Sequence, residues 1–414
     1  MAQARLTKLP VIATTTLVLL ISYIAFISIG FPDAVLGVAW PSVRETFGLS
    51  QAGLGYILFA SGTGYCFSGL ISGKIIDRLG VGRLLVVSTA LVTTGLLGYS
   101  IAPVFPAFLA VAVLIGLGSG AIDSALNFYA AERFSEAVMN RLHAFFGVGA
   151  LIGPLIMGGV LDRGASWRWG YVIVGSILLT MTLLFVISRR LWDVGNEHNE
   201  AGIERVVAIP VREVMRDRIV LLNVTIFFFC TGVEFTGGQW AFTVMSERFG
   251  QSDGIASLWA GLYWGALATG RLTLGMISAR VGTARMVQFG IAGNIVGGLL
   301  YTLGSYDVAV VGLLLMGFWM APIFPLLMTL TPRRIGSAAS VHAVGFQVSA
   351  AVLGGAVLPW LGGFISTRTS LMAIGWVAVA GAIILFALHG WMMGIDRDAT
   401  SFQGRTGSVS TAER

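Results

Sequence analysis

Charge is what this chain has least of. Asp, Glu, Lys and Arg make up 11% of its 414 residues, where a soluble domain carries roughly 25%. Hydrophobic residues make up 56%, and the mean hydropathy is +0.84. Water leaves no room to hide that much apolar surface, so the composition excludes a soluble domain and points to a bilayer. Cysteine is nearly missing. Cys66 and Cys230 both lie in apolar stretches and read as small packed hydrophobes, not as a disulfide. No Cys/His cluster has metal-ligand spacing, so no metal is expected. No phosphate-binding loop is present, which excludes ATP hydrolysis within the chain and leaves a proton gradient as the energy source. A paired nucleophile and base is also missing, so an enzyme is not expected. Nothing resembles a cleavable signal peptide: Arg5 and Lys8 precede an apolar run too long for one, which reads as a first spanning helix.

What the chain does have is long apolar segments. Spans of about twenty residues fit at roughly 12–40, 52–73, 84–104, 107–131, 142–163, 169–189, 219–246, 256–278, 284–304, 308–330, 338–364 and 370–393. The expected fold is an all-α membrane protein of about twelve transmembrane helices. With the N-terminus in the cytoplasm, most basic residues fall inside: Lys74, Arg78, Arg83, Arg133, Arg141, Arg280, Arg285, Arg333 and Arg334. Only Arg44, Arg163, Arg168, Arg248 and Arg368 fall outside. That bias predicts both termini in the cytoplasm and explains the net charge of +6 without nucleic acid. The polar stretch 191–218 reads as a cytoplasmic linker between an N-terminal bundle, 1–190, and a C-terminal bundle, 219–394. The tail, 395–414, is rich in Ser, Thr, Gly and charge and reads as disordered.

The two bundles repeat each other. Gly30-Phe31-Pro32-Asp33 through Gly37 is echoed by Gly232-Val233-Glu234 through Gly238, with the acids and the last glycines offset by 201 positions. Gly73-x-x-x-Asp77-Arg78-x-Gly80 is echoed by Gly275-x-x-x-Ala279-Arg280-x-Gly282. His143-Ala144 is echoed by His342-Ala343, and Gly158-Gly159 by Gly362-Gly363. Parallel halves of this kind carry a substrate site between them near the membrane midplane.

Polar residues inside the spans are the candidates for that site. Asp33, Asp123 and Glu234 are costly to bury, and the arginines lie mostly near span ends, so no cation is evident at mid-depth. An unpaired buried acid takes up a proton, which suits proton coupling. Asn127 lies one turn from Asp123 and shares its helix face. Glu234, Gln239, Trp240, Trp319, Gln347 and Asn127 are candidates to hold a substrate. Asn223 and Asn294 read equally as interhelical glue. Tyr263, Trp264 and Trp376 read as packing or interface residues. His143 and His342 read as helix-terminal hydrogen-bonders before proton relays.

The segment from Gly73 to Arg83, Gly-Lys-Ile-Ile-Asp-Arg-Leu-Gly-Val-Gly-Arg, resembles the signature loop of the major facilitator superfamily, with one residue more before the last Arg. The resemblance covers essentially the whole chain. It implies two pseudo-symmetric six-helix bundles rocking about a central cavity lined by the first, fourth, seventh and tenth helices. It also implies that Gly73, Asp77, Arg78, Gly80 and Arg83 form a conformational latch. Three further segments look like the fucose:proton symporters and related sugar transporters: Gly116-x-Gly-x-Gly120-x-x-Asp123-x-x-x-Asn127, His143-x-Phe-Phe-Gly147-x-Gly149 and Gly317-Phe-x-x-Ala321-Pro322-Ile323-Phe324-Pro325. Around Asp33 the chain departs from them, reading Asp-Ala-Val-Leu-Gly. The expectation is a monomeric, multi-pass protein of a bacterial inner membrane whose partners are a monosaccharide, protons and lipid. The competing expectation is a proton-linked drug or metabolite exporter on the same fold.

Overall fold

A computed structural model describes residues 11–192 and 211–410. Among them there is no strand. Inside a bilayer the backbone must satisfy its own hydrogen bonds, and helices do so within one segment. The N-terminal half contains α1 (Val11–Phe47), α2 (Gly53–Leu79), α3 (Val81–Ile101), α4 (Phe105–Arg133), α5 (Glu136–Leu161) and α6 (Trp167–Ser188). The C-terminal half contains α7 (Arg218–Thr243), α8 (Asp253–Val281), α9 (Thr283–Leu303), α10 (Tyr306–Met320), α11 (Ile323–Ile335), α12 (Ser337–Ser366) and α13 (Met372–Ser410). Most of the expected linker, 193–210, lies outside the described residues. In α13 helical backbone continues to Ser410, through the stretch read in the sequence as disordered.

Local chemistry sets the helix ends. Ser166, Asp217 and Ser252 cap their helices by accepting from the backbone N–H of Arg168, Ile219 and Ile255. Gly80 (φ 79°) and Gly282 (φ 93°) end α2 and α8 in backbone that favours glycine, and each allows the immediate turn into the next helix. The tenth span, Tyr306–Ile335, is two pieces broken at Ala321-Pro322, because Pro has no N–H to continue the ladder. Eleven helical stretches among the described residues are long and apolar enough to cross a membrane. The expected twelfth, α8, is 29 residues long but carries Arg271 and Arg280 beside Trp259, Tyr263 and Trp264. It packs between α5, α7 and α10 like any member of the bundle.

The halves pack alike. In one, α1 lies on α5 and α2 on α4; in the other, α7 lies on α12 and α8 on α10. Gly149 sits against the Ile27 carbonyl and Gly354 against the Phe228 carbonyl, at spacings only glycine tolerates. Ile27 and Phe228 are 201 positions apart, the same offset as Asp33 and Glu234. Past Gly238 the offset becomes 202: Glu45-x-Phe47-Gly48 matches Glu247-x-Phe249-Gly250, with Gly48 at φ 64° and Gly250 at φ 66°. A π-helical turn, Val244–Arg248, falls where the offset steps. Such a turn accommodates one inserted residue, which accounts for the step.

Candidate functional site

The halves meet along two seams, α2 against α12 and α5 against α8, with α1 and α7 between them. Gly55 lies on the Trp360 ring and Gly62 on Val352; Gly158 lies on Ser257 and Gly147 on Ala268. These contacts run from the end of the molecule that carries Gly48 to about mid-depth. Farther on they cease: Gly73, Gly275 and Gly345 have open space where a side chain would be. The halves are therefore joined at the Gly48 end and parted at the Gly80 end, leaving a cleft.

Polar contacts lock the joined end. Arg44 pairs with Glu247 at 2.8 Å. Gln51 donates to the same carboxylate at 3.0 Å, and Trp40 donates to Gln51 at 3.1 Å. Asp162, closing α5, accepts from the Gly254 N–H at the start of α8 at 3.0 Å. Below this lock, Gly37 of α1 lies directly on the Gln239 backbone of α7, and Gln239 Nε2 donates to the Asp33 carbonyl at 2.6 Å. That approach forms the floor of the cleft.

The three acids sit near the floor in unlike settings. Asp123 accepts from Tyr65 OH and from Asn127 Nδ2, both at 2.8 Å, one bond to each oxygen. Glu234 has Arg271 Nη2 at 3.7 Å, with both side chains mostly buried. The Glu234 backbone is pinned by Tyr263 OH, which donates to its carbonyl at 2.7 Å. No described residue donates to the Asp33 carboxylate, which lies within Coulombic reach of both Asp123 and Glu234. A bare acid between two others is the group best able to gain and lose a proton. The expectation that no cation lies at mid-depth is thus corrected by Arg271. Sequence reading missed it because span length was weighed before span content, although a lone Arg inside 256–278 was the signal. Tyr65 was also missed, since only its contact with Asp123 distinguishes it.

Other expected substrate contacts lie elsewhere. Trp240 is fully enclosed and donates to the Pro359 carbonyl at 3.0 Å. Trp319 packs its ring on Gly293 of α9. Gln347 is fully buried and accepts from Thr331 at 3.1 Å. Trp240 thus serves packing in the C-terminal half, while Trp319 stays half-buried and Gln347 Nε2 has no partner; an all-round apolar helix does not reveal which side faces a cavity. Asn294 donates to the Met316 carbonyl at 3.0 Å, and Asn223 accepts from Arg334 at 3.3 Å, both as glue. Asp77, Arg78 and Arg83 are exposed at the parted end. His143 meets the Phe26 ring edge-on near the α1–α5 contact. Among the described residues no group of His, Cys, Asp and Glu is arranged to hold a metal ion.

Two bundles, a cleft between them and a floor of mid-membrane acids define a membrane transporter. The chain belongs to the Major Facilitator Superfamily, whose profile matches residues 22–341 and 224–412. It is 21% identical over 376 residues to the glucose/mannose transporter GlcP of Bacillus subtilis, covering 89% of this chain and 93% of that one. The fold is shared with the nucleoside transporter NupG (TM-score 0.75, 12% identity, 90% and 98% of the chains). It is shared also with the fucose:proton symporter FucP of E. coli (TM-score 0.61, 17% identity, 92% and 99%).

Proposed function

We propose that this protein is a proton-coupled symporter of a monosaccharide in a bacterial inner membrane, working by alternating access. The observation that carries this is the bare Asp33 carboxylate at the floor of the cleft, beside a polar cluster of Asp123, Asn127 and Tyr65. Glu234 has a counter-ion and Asp123 has two donors, so Asp33 is left as the acid whose charge nothing balances. Its protonation state decides whether the α1–α7 floor carries a net charge while the halves rock. Carboxylate, amide and phenol groups together suit the hydroxyls of a sugar. The glucose/mannose and fucose relatives favour the same ligand class. The exporter reading draws less support, since Trp240, a ring that would stack on a lipophilic cation, is taken up in packing. With both termini in the cytoplasm, the cleft opens inward and the Arg44–Glu247 lock closes the outer face.

The test is uptake of labelled hexoses into proteoliposomes holding the purified protein, with and without an inward proton gradient. Accumulation that needs the gradient is the expected result. Extrusion of lipophilic cations with no sugar uptake would sink the proposal.

A further inference from the structure

We infer that Arg271 is an anion-recognition residue, and that the monosaccharide this site takes carries a carboxylate, as a hexuronate does. This rests on the sugar-transport reading above and narrows its substrate class. The guanidinium is underused as it stands. It offers five N–H donors in a rigid fork, yet its Nε is buried without a partner. Its one acidic neighbour among the described residues, Glu234 Oε1, is 3.7 Å from Nη2, beyond ordinary hydrogen-bond range. An incompletely paired guanidinium at mid-depth is costly, and a bidentate carboxylate is the ligand that completes it. The side chain is not sealed: 18% of it remains exposed.

Placement agrees. Gly270 holds this turn of α8 hard against the Phe318 carbonyl of α10, which fixes where Arg271 starts. From there the charge reaches Glu234 and Cys230 on α7, Tyr263 on its own helix and His143 across the seam on α5. Arg271 therefore lies at the boundary of the two halves. The repeat places no such group in the N-terminal half. Gly73 matches Gly275 and Gly80 matches Gly282, so Arg271 corresponds to Gly69, which has no side chain.

Charge balance then couples ligand to proton. In the empty site Glu234 and Arg271 offset each other. A ligand carboxylate that takes the guanidinium leaves Glu234 with no counter-ion, and Glu234 gains a proton from solution. One anion and one proton enter, and the net charge of the pair's surroundings is unchanged. This proton is additional to the one carried by Asp33.

Equilibrium binding to the purified full-length protein tests this, with D-glucuronate, its methyl ester and D-glucose as probes. Glucuronate is expected to bind at least about tenfold more tightly than the ester or glucose, the gain from a charge-assisted fork. Arg271→Gln should bring the glucuronate-to-glucose affinity ratio to about one. Glu234→Gln should flatten the pH dependence of glucuronate affinity. Equal affinity for acid and ester in the unmutated protein would overturn the inference and leave sugar transport standing, without relying on any variant to fold. Binding of neither glucose nor glucuronate would take down both readings.

Discussion

The two halves solve the same problem differently. Asp33 and Glu234 occupy equivalent positions of α1 and α7, and the equivalence extends to the glycine-to-carbonyl contacts of Ile27 and Phe228. Yet Asp33 faces the cleft without a donor, while Glu234 has Arg271. One half holds an acid with no donor among the described residues, and the other holds an acid beside a guanidinium. Duplication supplied matching positions; later residues on neighbouring helices, Gly69 in one half and Arg271 in the other, set them apart.

The sharpest way to break this comparison is to neutralise the bare acid. Asp33→Asn should still exchange a labelled neutral hexose across a liposome membrane but should concentrate none of it on a proton gradient. Full accumulation would remove Asp33 from the proton path. Next comes the paired acid. Arg271→Gln leaves a buried carboxylate without its counter-ion and should cost about 3 kcal/mol of stability, seen as a lowered melting temperature. Adding Glu234→Gln to that variant should restore most of the loss, whereas additive losses would mean that the pair does not interact. A smaller effect is expected at the third acid. Tyr65→Phe removes one of the two donors to Asp123 and should weaken substrate binding by about 1.5 kcal/mol, roughly tenfold. Smallest is the outer lock: Glu247→Gln should favour parting of the Gly48 end by about 1 kcal/mol or less, since the pair is partly solvated. Labelling of Ser257→Cys, buried against Gly158 at the same end, would report it as faster modification.

Much of the architecture is legible in the sequence because membrane spans and repeats are written in composition. The Gly80 and Gly282 turns and the three acids are all visible there. The division of labour among the acids is not. It depends on Tyr65, Asn127 and Arg271, and only Asn127 shares a helix with the acid it serves. Trp240, enclosed and bonded to Pro359, shows a related limit. On a helix apolar all round, a polar or aromatic residue shows that some contact exists but not in which direction.

The π-helical turn at Val244–Arg248 has a consequence for symmetry. In an ideal two-fold arrangement, like positions meet at the axis. Glu45 and Glu247 are such positions, and two carboxylates would repel each other where the molecule has to close. The wider turn takes up the extra residue within itself, and Glu247 lies inside it. Glu247 instead meets Arg44, one place out of step, and the clasp that shuts one face joins opposite charges.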